Sequence, residues 1–276
     1  MNTLNCAGTM LDLSTPQVMG VLNVTPDSFF DGGRFCDVSN ALKQVELMCN
    51  EGASIIDVGG ESTRPGADLV SLQQEIDRVL PVIEAIVDRF PIVVSIDTYK
   101  ADVMRQAVHA GAGLINDVYG LRGDGAMDVA AQAGVPVCVM HMQGKPKTMQ
   151  QNPVYEDVVE SVYEFFQERI AACQRAGISK GNIILDPGFG FGKTLQHNLA
   201  LLKDFSRFRQ LGCCLLAGVS RKSMIGAMLD KSVDQRLYGS IALASLAVWQ
   251  GAQIIRAHDV AATVDAVNVI SKVQHV

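Results

Sequence analysis

The chain has 276 residues, 48% of them hydrophobic and 19% charged, enough to bury a large core within one α/β domain. Its formal net charge of −6 lacks the basic surface that nucleic-acid binders use, and its longest apolar stretch, around 241–249, is too short to span a bilayer. Neither a nucleic acid nor a membrane is therefore expected as a partner. The cysteines at 6, 36, 49, 138, 173, 213 and 214 show no CxxC spacing, and the N-terminus shows no basic-then-apolar leader. Both features point to reduced thiols in a cytoplasmic protein.

In chain order, residues 1–17 precede the first apolar run. Short, near-continuous apolar runs then appear at Val18–Leu22, Ile55–Val58, Ile92–Ile96, Leu114–Ile115, Pro136–Met140, Ile183–Leu185, Leu215–Val219 and Ile254–Ile255. Strands buried on both faces of a parallel sheet read this way. Between them lie amphipathic stretches. Leu72, Ile76, Val79, Leu80, Ile83, Ile86 and Val87 share one helical face, as do Val158, Val162, Phe165, Phe166 and Ile170. Gly52, Gly111, Gly134, Gly177 and Gly251 stand where helices would end. Strands alternating with helices in this number predict a TIM (β/α)8 barrel, as one domain over residues 1–276. The first 17 residues would cover its bottom. An open doubly wound sheet is the alternative.

Each run leads into polar residues. These are Asn23, Asp57, Asp97, Asn116-Asp117, His141, Asp186, Ser220-Arg221-Lys222 and Arg256-Ala257-His258-Asp259. One polar residue after a strand is ordinary turn or cap chemistry. Polar groups at every strand end exceed that need, and a barrel would gather them at one mouth.

The local strings Gly20-Val-Leu-Asn23-Val-Thr25-Pro-Asp27-Ser-Phe-Phe-Asp31-Gly-Gly33 and Asp57-Val-Gly-Gly-Glu61-Ser-Thr63-Arg64-Pro65-Gly66 resemble two signatures of the dihydropteroate synthases. Ser95-Ile-Asp97-Thr, Ile115-Asn116-Asp117, Asp186-Pro-Gly-Phe-Gly-Phe191-Gly, Ser220-Arg-Lys222-Ser223 and Arg256-Ala-His258-Asp follow in matching order. The resemblance spans about residues 18–260. It departs at Phe30, where many relatives carry serine, in a loop expected to close over the second substrate.

The resemblance implies transfer of a dihydropterin methyl group from its diphosphate ester to 4-aminobenzoate. Asp97, Asn116 and Asp186 would bind the pterin edge, with Lys222 on its acceptor atoms. Asn23, Thr63, Arg64, Arg256 and His258 would hold the diphosphate, His258 as a source of positive charge. Asn23 would also meet a Mg2+ ion, the implied cofactor. Pro65, Phe191, Lys222 and Ser223 would form the aminobenzoate pocket. Asp97, Asp186, Lys222 and Arg256 would carry catalysis. The apolar stretch at 237–249 would make a homodimer contact.

Three rivals remain. One is a pterin-binding methyltransferase domain, and another a non-catalytic pterin-binding paralogue. The third is a nucleotide triphosphatase, because 187–194 looks like a phosphate-binding loop lacking its first glycine. Pro187 has no N–H to offer a phosphate, which argues against the third.

Overall fold

A computed structural model describes residues 3–25, 34–62, 69–144, 149–150 and 152–274. Strands β1 (Thr3–Cys6) and β2 (Thr9–Asp12) form an antiparallel hairpin with Leu4 opposite Leu11. The sequence reading left these residues unassigned. Their two-residue turn, Ala7-Gly8, has φ of 52° and 93°, the left-handed pair that matches the twist of a hairpin.

Eight parallel strands follow: β3 (Gln17–Asn23), β4 (Ile55–Gly59), β5 (Val93–Asp97), β6 (Leu114–Asp117), β7 (Val137–Met140), β8 (Ile183–Asp186), β9 (Cys214–Ala217) and β10 (Ile254–Ala257). They close in the order β10-β3-β4-β5-β6-β7-β8-β9. Pairing of β10 with both β3 and β9 closes the barrel and rules out the open sheet.

Helices α1 (Arg34–Asn50), α2 (Leu72–Arg89), α3 (Ala101–His109), α4 (Ala126–Ala133), α5 (Val158–Arg175), α6 (Leu195–Lys203), α7 (Ser223–Leu229), α8 (Leu237–Trp249) and α9 (Val260–Gln274) surround it. α2 starts at a reciprocal cap. Ser71 Oγ accepts from the Gln74 N–H, and the Gln74 side chain accepts from the Ser71 N–H. Ile76, Val79, Ile83 and Ile86 are buried as expected, whereas Leu72 and Val87 flank the stripe and are exposed. The glycines after the helices take positive φ, as at Gly111 (105°) and Gly251 (104°).

Side chains alternate between the outside and inside of each strand. On the outside, Ile56, Val58, Val94 and Ile96 join the helices in one large core. Inside, Met19, Ile55, Val93, Leu114, Ile184 and Ile254 form an apolar layer at the N-terminal end. Leu4, Cys6, Leu11 and Leu13 of the hairpin segment plug it. The expectation that the first 17 residues cover the bottom holds. At Gly113, where the chain enters β6, an added Cβ would lie 2.7 Å from the Cys6 carbonyl oxygen, so the plug meets the barrel floor backbone to backbone. Two residues further along the strands, the interior turns polar.

Candidate active site

The polar groups read as following the strands are mostly their last inward residues. The pairing register aligns Asn23 with Gly59, Gly59 with Asp97, and Asp97 with Asn116. One row therefore crosses four neighbouring strands. Gly59 opens a gap in that row. A Cβ there would lie 3.7 Å from Asp97 Oδ2 and 3.9 Å from Asn23 Oδ1.

Beneath the row sits Asp57, fully buried, a residue for which sequence reasoning had assigned no role. Its Oδ2 accepts from Arg256 Nε at 2.6 Å and from Asn116 Nδ2 at 3.0 Å. Arg256 Nη2 donates to Asp97 Oδ2 at 2.9 Å. One guanidinium thus ties two carboxylates across the barrel, with Asn116 fixed by the same oxygen. Burial opposes the Arg256 charge, but Asp57 and Asp97 outweigh it and raise its pKa. Asp97 is pushed up to about 7, chiefly by burial, which the Arg256 charge offsets only in part and the Asp57 carboxylate reinforces. Asp57 Oδ1, Asp97 Oδ1 and Ser95 Oγ are buried without a hydrogen-bond partner, so hydrogen-bonding capacity remains at this depth.

Asp186 ends β8 on the same interior surface. Its Oδ1 accepts from the Gly188 N–H at 2.8 Å, and a Cβ placed on Gly218 would lie 3.8 Å from its Oδ2 and 4.0 Å from Arg256 Cβ. Burial raises its pKa, while the Gly188 N–H and the Lys222 charge oppose the rise. Lys222 directly precedes α7. Its ammonium lies 4.3 Å from the centroid of the Phe191 ring. Burial and Arg256 lower it to about 8, against the pull of Asp186. Ser223 is the exposed first residue of α7. Phe191 also packs on a separate apolar cluster of Val118, Met140, Met142 and Met149.

Lys222 is aimed by its neighbour. Arg221 has φ of 56°, a strained conformation for a residue with a Cβ. Its N–H donates to Ser240 Oγ at 2.9 Å, and its Nε and Nη2 donate to the two carboxylate oxygens of Asp259 at 2.9 and 2.5 Å. These ties hold the strained turn. His258 differs from expectation. Burial, with Arg256 and Arg221 nearby, drops its pKa to about 4, so with no anion bound the ring is neutral at neutral pH. Ser220 Oγ accepts from the His258 N–H at 3.1 Å and lies 3.1 Å from Nδ1. With the hydroxyl proton given to Nδ1, the ring keeps its proton on Nε2 as a donor.

Two strand-end groups do not join the site. Asp117 accepts from the N–H groups of Tyr119 (2.6 Å) and Leu121 (2.8 Å), a turn role. His141 is buried against Lys193, whose Nζ lies 2.9 Å from its Nδ1. Lys193 also donates to three main-chain carbonyls, so it is not free to meet a phosphate as the loop-like string would require. Thr63, Arg64, Pro65 and Phe30 lie outside the described residues.

The model of the family described as "Pterin binding enzyme" matches residues 19–258. The dihydropteroate synthase of Haemophilus influenzae is 57% identical over 259 residues, 94% of each chain. The chain belongs to the pterin-binding enzyme family, among its dihydropteroate synthases. Two solved structures agree. The Yersinia pestis dihydropteroate synthase in complex with a sulfonamide drug superposes with a TM-score of 0.95 at 51% identity, covering 99% of this chain and 100% of the other. The Xanthomonas albilineans dihydropteroate synthase with 4-aminobenzoic acid gives 0.94 at 48% identity, covering 100% and 99%. As a dihydropteroate synthase the chain is a transferase. The methyltransferase, non-catalytic and triphosphatase readings fall away.

Proposed function

We propose that this chain joins a dihydropterin methyl diphosphate to 4-aminobenzoate, releasing diphosphate and forming 7,8-dihydropteroate. The observation that carries the reading is the convergence of Asp97, Asn116, Asp186, Lys222 and Arg256 on one interior surface above the apolar floor. Asp186, Asp97 and Asn116 bind the guanidine-like pterin edge, where a carboxylate accepts two parallel hydrogen bonds. Lys222 serves the ring's acceptor atoms, and the methionine cluster beside Phe191 gives the flat ring an apolar flank.

Two of Arg256's donors are held by carboxylates, which leaves the rest of its fork for the diphosphate. His258 adds an Nε2–H, and Thr63 and Arg64 complete the anion site. Asn23 offers a hard amide oxygen beside Asp97, the donor type magnesium prefers. Among the described residues no three His, Cys, Asp or Glu side chains converge as a cage. That fits an ion held by Asn23 together with substrate oxygens. Bound there, magnesium would neutralise charge on the leaving diphosphate.

The methylene–oxygen bond breaks first, and its electron pair leaves with diphosphate. The cation left on the methylene delocalises into the pterin ring, stabilised by Asp97 and Asp186. The neutral arylamine nitrogen then attacks and loses its proton to solvent, so no general base is needed. Pro65, Phe191, Lys222 and Ser223 shape the pocket for the aromatic acid. The deciding assay is diphosphate release that depends on added 4-aminobenzoate; its absence sinks the reading. Phe191→Ala should weaken aminobenzoate affinity about tenfold when titrated with diphosphate and magnesium present. Unchanged affinity would remove Phe191 from the pocket.

The pH dependence follows from two groups. Asp97 acts as a carboxylate, so kcat/KM should fall as the pH drops through about 7. Lys222 acts as an ammonium, so it should fall again as the pH rises through about 8. The expected profile is a bell whose alkaline limb changes position in Lys222→Met, Lys193 being a second lysine that burial lowers, to about 7.

Among the described residues no helix is long and apolar enough to cross a membrane. A cytoplasmic location and pairing of two copies complete the reading. Leu246 and Trp249 of α8 and Val269 and Val273 of α9 are all more than half exposed, an apolar face suited to a second copy. Sedimentation at micromolar concentration should give a dimer, and Trp249→Glu a monomer.

A further inference from the structure

Lys193 is the most enclosed lysine among the described residues, 4% exposed. No step of the reaction above uses it. Its ammonium lies 2.9 Å from His141 Nδ1 and within reach of three main-chain oxygens: Gly188 at 3.0 Å, Phe191 at 3.0 Å and His141 at 3.3 Å. Burial lowers the Lys193 pKa to about 7, against the pull of Asp186. Three carbonyls and a ring nitrogen are four acceptors facing a group that is a donor in either protonation state, with three N–H bonds as an ammonium and two as an amine. His141 is built to accept. Burial and the Lys193 charge drop its pKa to about 2, so its ring stays neutral and Nδ1 can accept.

The placement of these partners matters more than their number. Gly188 and Phe191 belong to the loop between β8 and α6, while His141 directly follows β7. The loop is pressed against that strand end. A Cβ on Gly188 would lie 2.1 Å from the His141 carbonyl oxygen, so only glycine fits. Inside the loop the Phe191 N–H donates to the Gly188 carbonyl at 3.1 Å, and Asn198 Oδ1 accepts from the Gly190 N–H at 2.8 Å. From the other side the Phe191 ring receives the Lys222 ammonium. The end of the loop nearer Asp186 is held by the sheet and by the Gly188 N–H. At the far end Gln150 Nε2 donates to the Gly190 carbonyl and the Tyr155 hydroxyl to the Gly192 carbonyl, and the carbonyl of Phe191 itself takes the Lys193 bond.

We infer that Lys193 is a positioning residue for the second substrate: its buried side-chain nitrogen pins the β8–α6 loop so that the Phe191 ring faces Lys222 and presents a fixed wall to an aromatic carboxylic acid. The inference rests on the reading that Phe191 lines the aminobenzoate pocket. It adds that a buried side chain beneath the loop, bonded to main-chain carbonyls, sets that wall's position. A structural role alone would affect stability and both substrates together. A positioning role separates them.

The test is steady-state kinetics on the full-length chain with magnesium, varying each substrate, for Lys193→Met, His141→Ala and Phe191→Ala. Lys193→Met keeps the side chain's length and removes its donors. It should raise the KM for 4-aminobenzoate about tenfold while changing the KM for the pterin diphosphate and kcat by less than about threefold. His141→Ala leaves the three carbonyl partners and should raise the same KM about threefold. Parallel rises in both KM values, or an unchanged aminobenzoate KM in a folded Lys193→Met, overturn the inference. Should Lys193→Met fail to fold, His141→Ala decides by the same two criteria. Phe191→Ala separates the layers. A raised aminobenzoate KM there, beside a silent Lys193→Met, removes Lys193 alone. A silent Phe191→Ala removes the pocket reading and this inference with it.

Discussion

Replacing Asp97 with alanine is expected to lower kcat by about a thousandfold, with a much smaller rise in KM for the pterin ester, whose edge it also binds, and little change for 4-aminobenzoate. The side chain sits at the end of β5, between Gly59 and Asn116 in the register, and shares Arg256 with Asp57. Its carboxylate is held in surroundings that disfavour its charge, since burial pushes it up to about 7. A cation forming on the pterin ring would relieve that cost. The interaction therefore strengthens as the reaction proceeds, which is the condition for accelerating it. Folding stability should fall less than in Asp57→Ala, because Asp97 loses one bond to Arg256, which keeps Asp57, and burial disfavours the ionised Asp97 carboxylate. Single-turnover kinetics beside thermal melting checks both halves. A variant that turns over at near the parent rate would remove Asp97 from the chemistry.

Asp57→Ala should be nearly as damaging, by a different route. Asp57 touches the catalytic groups from below and is fully buried. Its loss takes the acceptor from Arg256 Nε and from Asn116 Nδ2 together. Arg256 would then be free to swing toward Asp97 alone. A displacement of about 1 Å at such a group costs on the order of a hundredfold in rate. Removing one member of a buried ion pair should also cost about 3 kcal/mol of stability. Asp57→Asn keeps an acceptor of the same shape and should fall between the two. Denaturant unfolding and kcat/KM on the same preparations provide the check. Loss of stability with unaltered kinetics would leave Asp57 a structural residue only.

The barrel was legible in the sequence because its strands are buried on both faces and read as unbroken apolar runs. Ile55–Val58 and Ile183–Leu185 are examples. The strand ends were less so. Ile254–Ile255 was read as stopping before Arg256, yet β10 runs to Ala257, and Arg256 reaches inward as part of the strand. A lone charged residue after apolar ones looks like a turn, and only the closed sheet gives it an interior to face. The N-terminal hairpin escaped notice for a related reason. Each arm has four residues, and the burial that defines them comes from the distant barrel floor.

Among the site residues, Asp97, Asn116, Asp186, Lys222 and Arg256 came from the family strings, and the structure brings them together. Asp57 stood in one of those strings but was given no task, since its importance lies in a partner 199 residues away. Lys193 stood in a string that looked like a phosphate loop, a reading Pro187 argued against, and it was given no task. Its carbonyl partners appear only once the loop has folded over it. Sequence carries no measure of burial, so it gives no sign that the His258 pKa is lowered.

The corked floor has a kinetic corollary. With Leu4, Cys6, Leu11 and Leu13 packed beneath the interior, the described residues close the floor and leave the opposite mouth for traffic to and from the polar layer. Asp57, Asn116 and Asp186 lie almost wholly out of solvent, whereas Ser223 stands at the rim. A molecule seated at the rim would bar the way to the deeper berth. With the pterin at depth and the aromatic acid at the rim, as proposed above, the pterin ester is expected to arrive first and the aromatic acid second, and the joined product to clear the doorway before the next pterin descends.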